Sequence, residues 1–187
     1  MSEANILHLH NREAWRAWLN EHFKQEKEVW LVLPKKSSKA AGIPYNDAVE
    51  EALCFGWIDS IVKTLDQDNT MQRFTPRHPK TSYSQANKER LRWLDEMNLL
   101  HPEVKTRVKE ILEETYQFPA DIIYAIQEDP VVWKNFKQFS PAYQRIRVAY
   151  IDGARKRPEE FRKRLANFIH KTRENKIIGY GGIEKYY

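Results

Sequence analysis

The side chains with the greatest chemical potential fall between Trp57 and Arg90. Trp57, Asp59 and Lys63 occupy alternate positions, which puts them on one face of a strand if that strand is regular. Arg73 and Arg77 follow on the next expected strand and its exit, and Asn87 and Arg90 lie one helical turn apart. If they converge, they form a pocket with an aromatic wall, one carboxylate and several guanidinium groups. Such a pocket suits a small anionic ligand, a carboxylate or a phosphate. The competing reading is architectural: Asp59 pairs with an arginine and pins a hairpin to a helix.

Cys54 is the sole thiol, so an internal disulfide is excluded. It follows Leu53 on an apolar helix face, and reads as an inert packed residue and not as a nucleophile. His8-Leu9-His10 would place two rings on one strand face, a minimal metal pair, but no Cys or carboxylate stands beside it at ligand spacing. The sequence has no Gly-rich phosphate loop, no GxSxG elbow and no HExxH. No catalytic residue, metal or cofactor is assigned.

A second group of candidates is electrostatic. Arg155-Lys156-Arg157 and Arg162-Lys163-Arg164 form a basic surface across a helix–helix turn. From Val131 to Tyr187 there are 14 Lys and Arg against 5 Asp and Glu, in a chain whose net charge is +5. A mildly acidic body therefore carries a basic C-terminal third, which could meet nucleic acid, an anionic surface or the body itself. Base-stacking aromatics are not interleaved with the basic clusters, so solvated helix faces are favoured over nucleic-acid binding.

The elements that must position these residues follow from hydrophobic spacing. Arg12–Phe23 reads as a helix capped by Asn11, and Val29–Leu33 as a buried strand closed by Pro34. A second helix over 46–55 ends at Gly56, with Asp47, Glu50 and Glu51 on its polar face. Trp57–Leu65 and Met71–Pro76 read as antiparallel strands around the turn formers Asp66–Thr70. Ser82 and Gln85 suggest a capping box for a third helix, and Pro102 opens a fourth. Pro119, Pro130, Pro141 and Pro158 mark further helix starts. Ala142, Ile146, Ala149, Tyr150 and Gly153 form one apolar stripe, and Phe161, Leu165, Phe168 and Ile169 the next. The fold class is α+β: a small antiparallel sheet covered by helices, then a C-terminal helical segment. The expected divisions are 1–118, a basic helical 119–176, and a flexible tail 177–187.

Tyr45 to Ser60, with Trp15-Arg16-Ala17-Trp18-Leu19, Glu28–Val32, Phe74–Arg77 and Ser82–Lys88, resembles the YdeI/OmpD-associated family, also called OmdA-like or bacteriocin-protection proteins. Phe139–Pro141 through Arg164 resembles its basic helical segment. The chain departs from the family pattern at Tyr83, where a Trp is usual, and at Met97–Pro102, which replaces a glycine-bearing turn. The resemblance implies a bacterial protein with a part in stress or antimicrobial-peptide tolerance, and it carries no catalytic activity over. The leading expectation is a non-enzymatic binding protein with a small anionic ligand or a protein partner, its site near Trp57, Asp59 and Arg77. The alternatives are an enzyme acting on a small anionic substrate and a nucleic-acid binder using the basic third. No apolar run is long enough to span a membrane. The N-terminal residues lack the basic-then-apolar pattern of a signal peptide, so the expected location is cytoplasmic, not the periplasm to which some family descriptions point.

Overall fold

Asn11 sets the first helix. In the computed structural model, which describes residues 5–38 and 41–179, its backbone is extended and its side-chain oxygen accepts the Ala14 amide at 2.8 Å. The chain divides into two compact units, Met1–Ser82 with Leu94–Lys109, and Tyr83–Trp93 with Glu110–Tyr187. Both are discontinuous because one helix, Gln85–Glu96, starts in the second unit and ends in the first.

The first unit contains strand β1 (Ile6–Leu7), helix α1 (Arg12–His22), strand β2 (Val29–Pro34), helix α2 (Tyr45–Cys54), and strands β3 (Trp57–Thr64) and β4 (Asn69–Pro76). Sheet order is β1-β2-β4-β3. The three longer strands pair antiparallel as expected. To them is added β1, a two-residue edge strand that runs parallel to β2, too short to leave a periodic signal. Asp66 builds the β3–β4 turn by accepting the Asp68 and Asn69 amides, both at 2.8 Å. Cross-strand partners share a sheet face, so Val29 and Leu31 lie on one face with Phe74, Gln72, Asp59 and Trp57. Helix α1 covers that face. Its fully buried Trp15 packs on Phe74 at 5.4 Å and donates its indole N–H to the Ala48 carbonyl of α2 at 3.0 Å.

One expectation about α2 is corrected. Glu50 and Glu51 are not on a solvated face: they are 0% and 2% exposed. Arg12 reaches Glu50 at 2.9 Å and Glu51 at 2.5 Å, and Arg16 reaches Glu51 at 2.7 Å. Carboxylates tolerate such burial only when paired, and α1 supplies the partners. Gly56 ends α2 with φ of +71°, as its position predicts. A Cβ there would also come within 3.2 Å of Arg107 Nη1. The departure at Met97–Pro102 has a local explanation: Asn98 adopts the left-handed conformation, φ 56°, that a glycine would otherwise supply.

The second unit is helical. It starts with most of helix α3 (Gln85–Glu96), which is capped by Ser84 and not by the expected Ser82: the Ser84 hydroxyl accepts the Asn87 amide at 3.3 Å. The helix opened by Pro102 breaks at Val108 into α4 (Pro102–Arg107), in the first unit, and α5 (Lys109–Glu113). Then come α6 (Ala120–Gln127), α7 (Pro130–Gln138), α8 (Pro141–Asp152) and α9 (Pro158–Arg173). Asp129 and Ser140 cap α7 and α8 just before a first-turn proline, as read from sequence. Ile122, Ile126, Val132, Phe136, Phe139, Tyr143, Val148, Ile151 and Phe168 form the core. Buried Glu89 joins α3 to α8 through a two-pronged pair with Arg145, both contacts at 2.7 Å. No helix among the described residues is long and apolar enough to cross a membrane. Of the tail expected to be flexible, residues from Tyr180 on lie outside the described residues.

Candidate anion-binding site

The residues first singled out between Trp57 and Arg90 each have an internal partner. Trp57 is 1% exposed, donates its indole N–H to the Phe23 carbonyl at 3.1 Å and meets Trp18 edge-on. Asp59 accepts the Tyr45 hydroxyl at 2.7 Å; its partner is a phenol and not an arginine. Arg73 pairs with Glu28 at 2.5 Å. Arg77 is buried, donates to the Ser82 carbonyl and receives backbone support from Gly56. Lys63 does not share a face with Asp59. Asp59 pairs with Phe74 but Val62 pairs with Gln72, so a β-bulge inserts one residue between them. That single residue turns Lys63 to the opposite face, where its ammonium lies 4.5 Å from the Trp30 ring centroid. Asn87 and Arg90, in the second unit, meet at 2.9 Å across one helical turn.

Cys54 is buried, and burial, with the Glu51 charge adding, pushes its thiol up to about 12 against the pull of Arg16. It is thus protonated at neutral pH, as a packed cysteine is. His8 and His10 follow the end of β1 and border a small cavity of about 190 Å³ with Val32 and Asn69. Among the described residues no cluster of three His, Cys, Asp or Glu could hold a metal.

The basic surface divides on inspection. Arg155 is held by Asp121 at 2.7 Å and by Asp152. Lys156, Arg157 and Arg162 are exposed. Lys163, also exposed, and half-buried Arg164 line a cleft of about 280 Å³ between α8 and α9, with Arg147, Tyr150, Asn167 and the 178–179 segment. Helical spacing explains the grouping: Arg147 and Tyr150 are three residues apart on α8, and Lys163 and Asn167 four apart on α9.

Arg147 is the unusual member. It is 4% exposed, and its Nε is buried without a hydrogen-bond acceptor. Its guanidinium lies 5.0 Å from the Tyr150 ring centroid, and Arg164 lies 3.8 Å from the same ring. Arg164 is fixed by Glu160 at 2.7 Å and by the Tyr150 carbonyl at 2.7 Å. The Arg164 hydrogen bond, against burial and with the charges of Arg164, Arg157 and Lys163, holds the Glu160 carboxyl below its ordinary range. The chain after α9 is tied down by Tyr143, whose hydroxyl accepts the Ile178 amide at 2.9 Å; burial raises this phenol, which keeps it neutral. Among the described residues no carboxylate pairs with Arg147 or Lys163, and none lines the cleft. A buried donor without an acceptor costs about 1–3 kcal/mol, more when charged, and the Arg147 Nε carries that cost.

Arg147 was not singled out from sequence, although a signal was there. Tyr143, Arg147 and Ile151 recur at four-residue steps on α8, which puts an arginine in register with two core residues. Conversely, the stripe read as packing is only partly so: Ile146, Ala149, Tyr150 and Gly153 line a second groove, of about 300 Å³, with Ser84, Gln85 and Ala86.

No curated protein and no solved structure gives a match to this chain. Two family models do. One, described as Domain of unknown function (DUF8412), matches residues 7–107 and so includes the Tyr45–Ser60 motif that carried most of the resemblance. The other, described as Bacteriocin-protection, YdeI or OmpD-Associated (OmdA), matches residues 115–175, the helical part containing the cleft. The chain therefore belongs to the DUF8412 family across more than half its length, and its C-terminal residues 115–175 carry the YdeI/OmpD-associated (OmdA) domain.

Proposed function

We propose that this chain is a non-enzymatic binding protein that takes an anionic ligand into the cleft between α8 and α9. The observation that supports this reading is the buried Arg147 guanidinium, whose Nε has no acceptor. Lys163 and Asn167 add donors at the mouth, and Arg164, paired with Glu160, braces the Tyr150 ring. A polarised, pre-positioned guanidinium recognises a carboxylate or phosphate without further reorganisation. The family description of residues 115–175 suggests the setting, protection against antimicrobial peptides in bacteria.

Calorimetric titration with inorganic phosphate tests the site. The full chain should bind, and Arg147→Met should weaken binding at least tenfold, since a charged hydrogen bond contributes about 1.5–3 kcal/mol. Methionine fills a buried arginine's space without its charge, so helical circular dichroism should be retained. Equal phosphate binding by the folded variant would remove the site. The setting is tested separately: a strain lacking this protein should survive a cationic peptide less well, and only the wild-type chain, not Arg147→Met, should restore survival.

A further inference from the structure

The anion cleft has a neighbour that it shares two residues with. Tyr150 and Arg164 border both the basic cleft and the second groove, so the two cavities flank one stacked pair. Their characters differ. The basic cleft presents Arg147, Lys163 and Asn167, while the groove is floored by Ile146 and Ala149 of α8 with Gly153 just after it, and walled by Ala86 beside Ser84 and Gln85. Ala149 and Gly153 are four residues apart and small, so they add little side-chain bulk to the groove floor. An apolar groove beside a cationic cleft is the arrangement that an amphipathic anion fits.

Charge narrows the class. Among the described residues Arg147 and Lys163 form no ion pair with a carboxylate, whereas Arg164 pairs with Glu160, a carboxylate whose field Lys163 also feels. Two cations without an ion-pair partner match a compact dianion. A phosphate monoester carries between one and a half and two negative charges near pH 7 on three oxygens around one centre; a monocarboxylate carries one. We infer that the ligand is a phosphate monoester bearing an apolar group, its phosphate at Arg147 and Lys163 and its apolar part along Ile146, Ala149 and Gly153. This rests on the reading of the cleft as an anion site.

The test compares inorganic phosphate, butyl phosphate and butyrate on the full chain at pH 8, by calorimetry and by nuclear Overhauser contacts. A half-buried butyl chain predicts that butyl phosphate binds about tenfold more tightly than inorganic phosphate. Butyrate should bind more weakly than butyl phosphate, and the butyl protons should show contacts to the Ala149 and Ile146 methyl groups. If phosphate and butyl phosphate bind equally, and both depend on Arg147, the inference falls while the anion site stands. If neither binds, both fall. Vesicles of phosphatidylcholine containing phosphatidic acid separate the two sources of such a group. Cosedimentation assigns it to a lipid headgroup, and butyl phosphate binding without cosedimentation assigns it to a soluble monoester; each upholds the ligand class.

Discussion

Two residues with similar burial have opposite meanings. Cys54 and Arg147 are both buried side chains that a list of reactive groups would include. Cys54 lies in apolar packing beside Glu51, and both influences disfavour the thiolate. With the thiol raised from 9.0 to about 12, its thiolate fraction at pH 8 falls on the order of a thousandfold. Labelling by a thiol reagent at pH 8 should therefore be slow in the folded protein and become fast in denaturant; rapid labelling of the native chain would contradict that. Arg147 cannot respond as Cys54 does, because a guanidinium does not give up its proton in a protein. Its burial leaves a charged group whose Nε has no acceptor. Trp57, by contrast, has both its ring and its N–H satisfied internally, so Trp57→Phe should lower stability by a few kcal/mol and leave phosphate binding unchanged.

At the scale of elements, the pairing of α1 with α2 depends on ions as much as on Trp15. Replacing Glu51 by Ala should cost about 1.5–3 kcal/mol, because it takes the carboxylate from partly exposed Arg16 and leaves Arg12 only Glu50 and Asp47. Glu21, exposed on α1, is the control, with an expected change within about 0.5 kcal/mol. Urea unfolding midpoints measure both, and similar values would contradict the account. The helices, the three longer strands and the left-handed Gly56 were legible in the sequence because each rests on local periodicity, capping or turn chemistry. Ser140, Asp129 and the prolines behave as their types dictate. Features that depend on a neighbouring element were not legible. The β-bulge that turns Lys63 away from Asp59 is a mismatch between two strands, visible only once β3 and β4 are paired. The burial of Glu50 and Glu51 needs the arginines of α1 opposite them. The open groove along Ile146, Ala149 and Gly153 has the same spacing as a packed stripe, and only the positions of α3 and α9 decide between them.

For the whole molecule, acid is the informative variable. Hydrogen bonds from Arg73, Asn69, Arg155 and Arg164 hold Glu28, Asp66, Asp121 and Glu160, in that order, below the ordinary carboxylate range. A depressed folded pKa means that the folded chain binds fewer protons than the unfolded one. The stability these groups lend is present above about pH 4–5 and is lost as pH falls through their lower folded values. The groups are exposed, so each contribution is small and salt should diminish it. The urea midpoint should decline steadily below about pH 4; a flat midpoint down to pH 2.5 would contradict the ion-pair account. The most direct test of the central claim is the side-chain Nε–Hε resonance of Arg147 in a ¹H–¹⁵N correlation spectrum, followed while inorganic phosphate is added. The account predicts a saturable shift of that resonance, accompanied by Asn167 and absent at Arg12. An Arg147 resonance unmoved at saturating phosphate would contradict it.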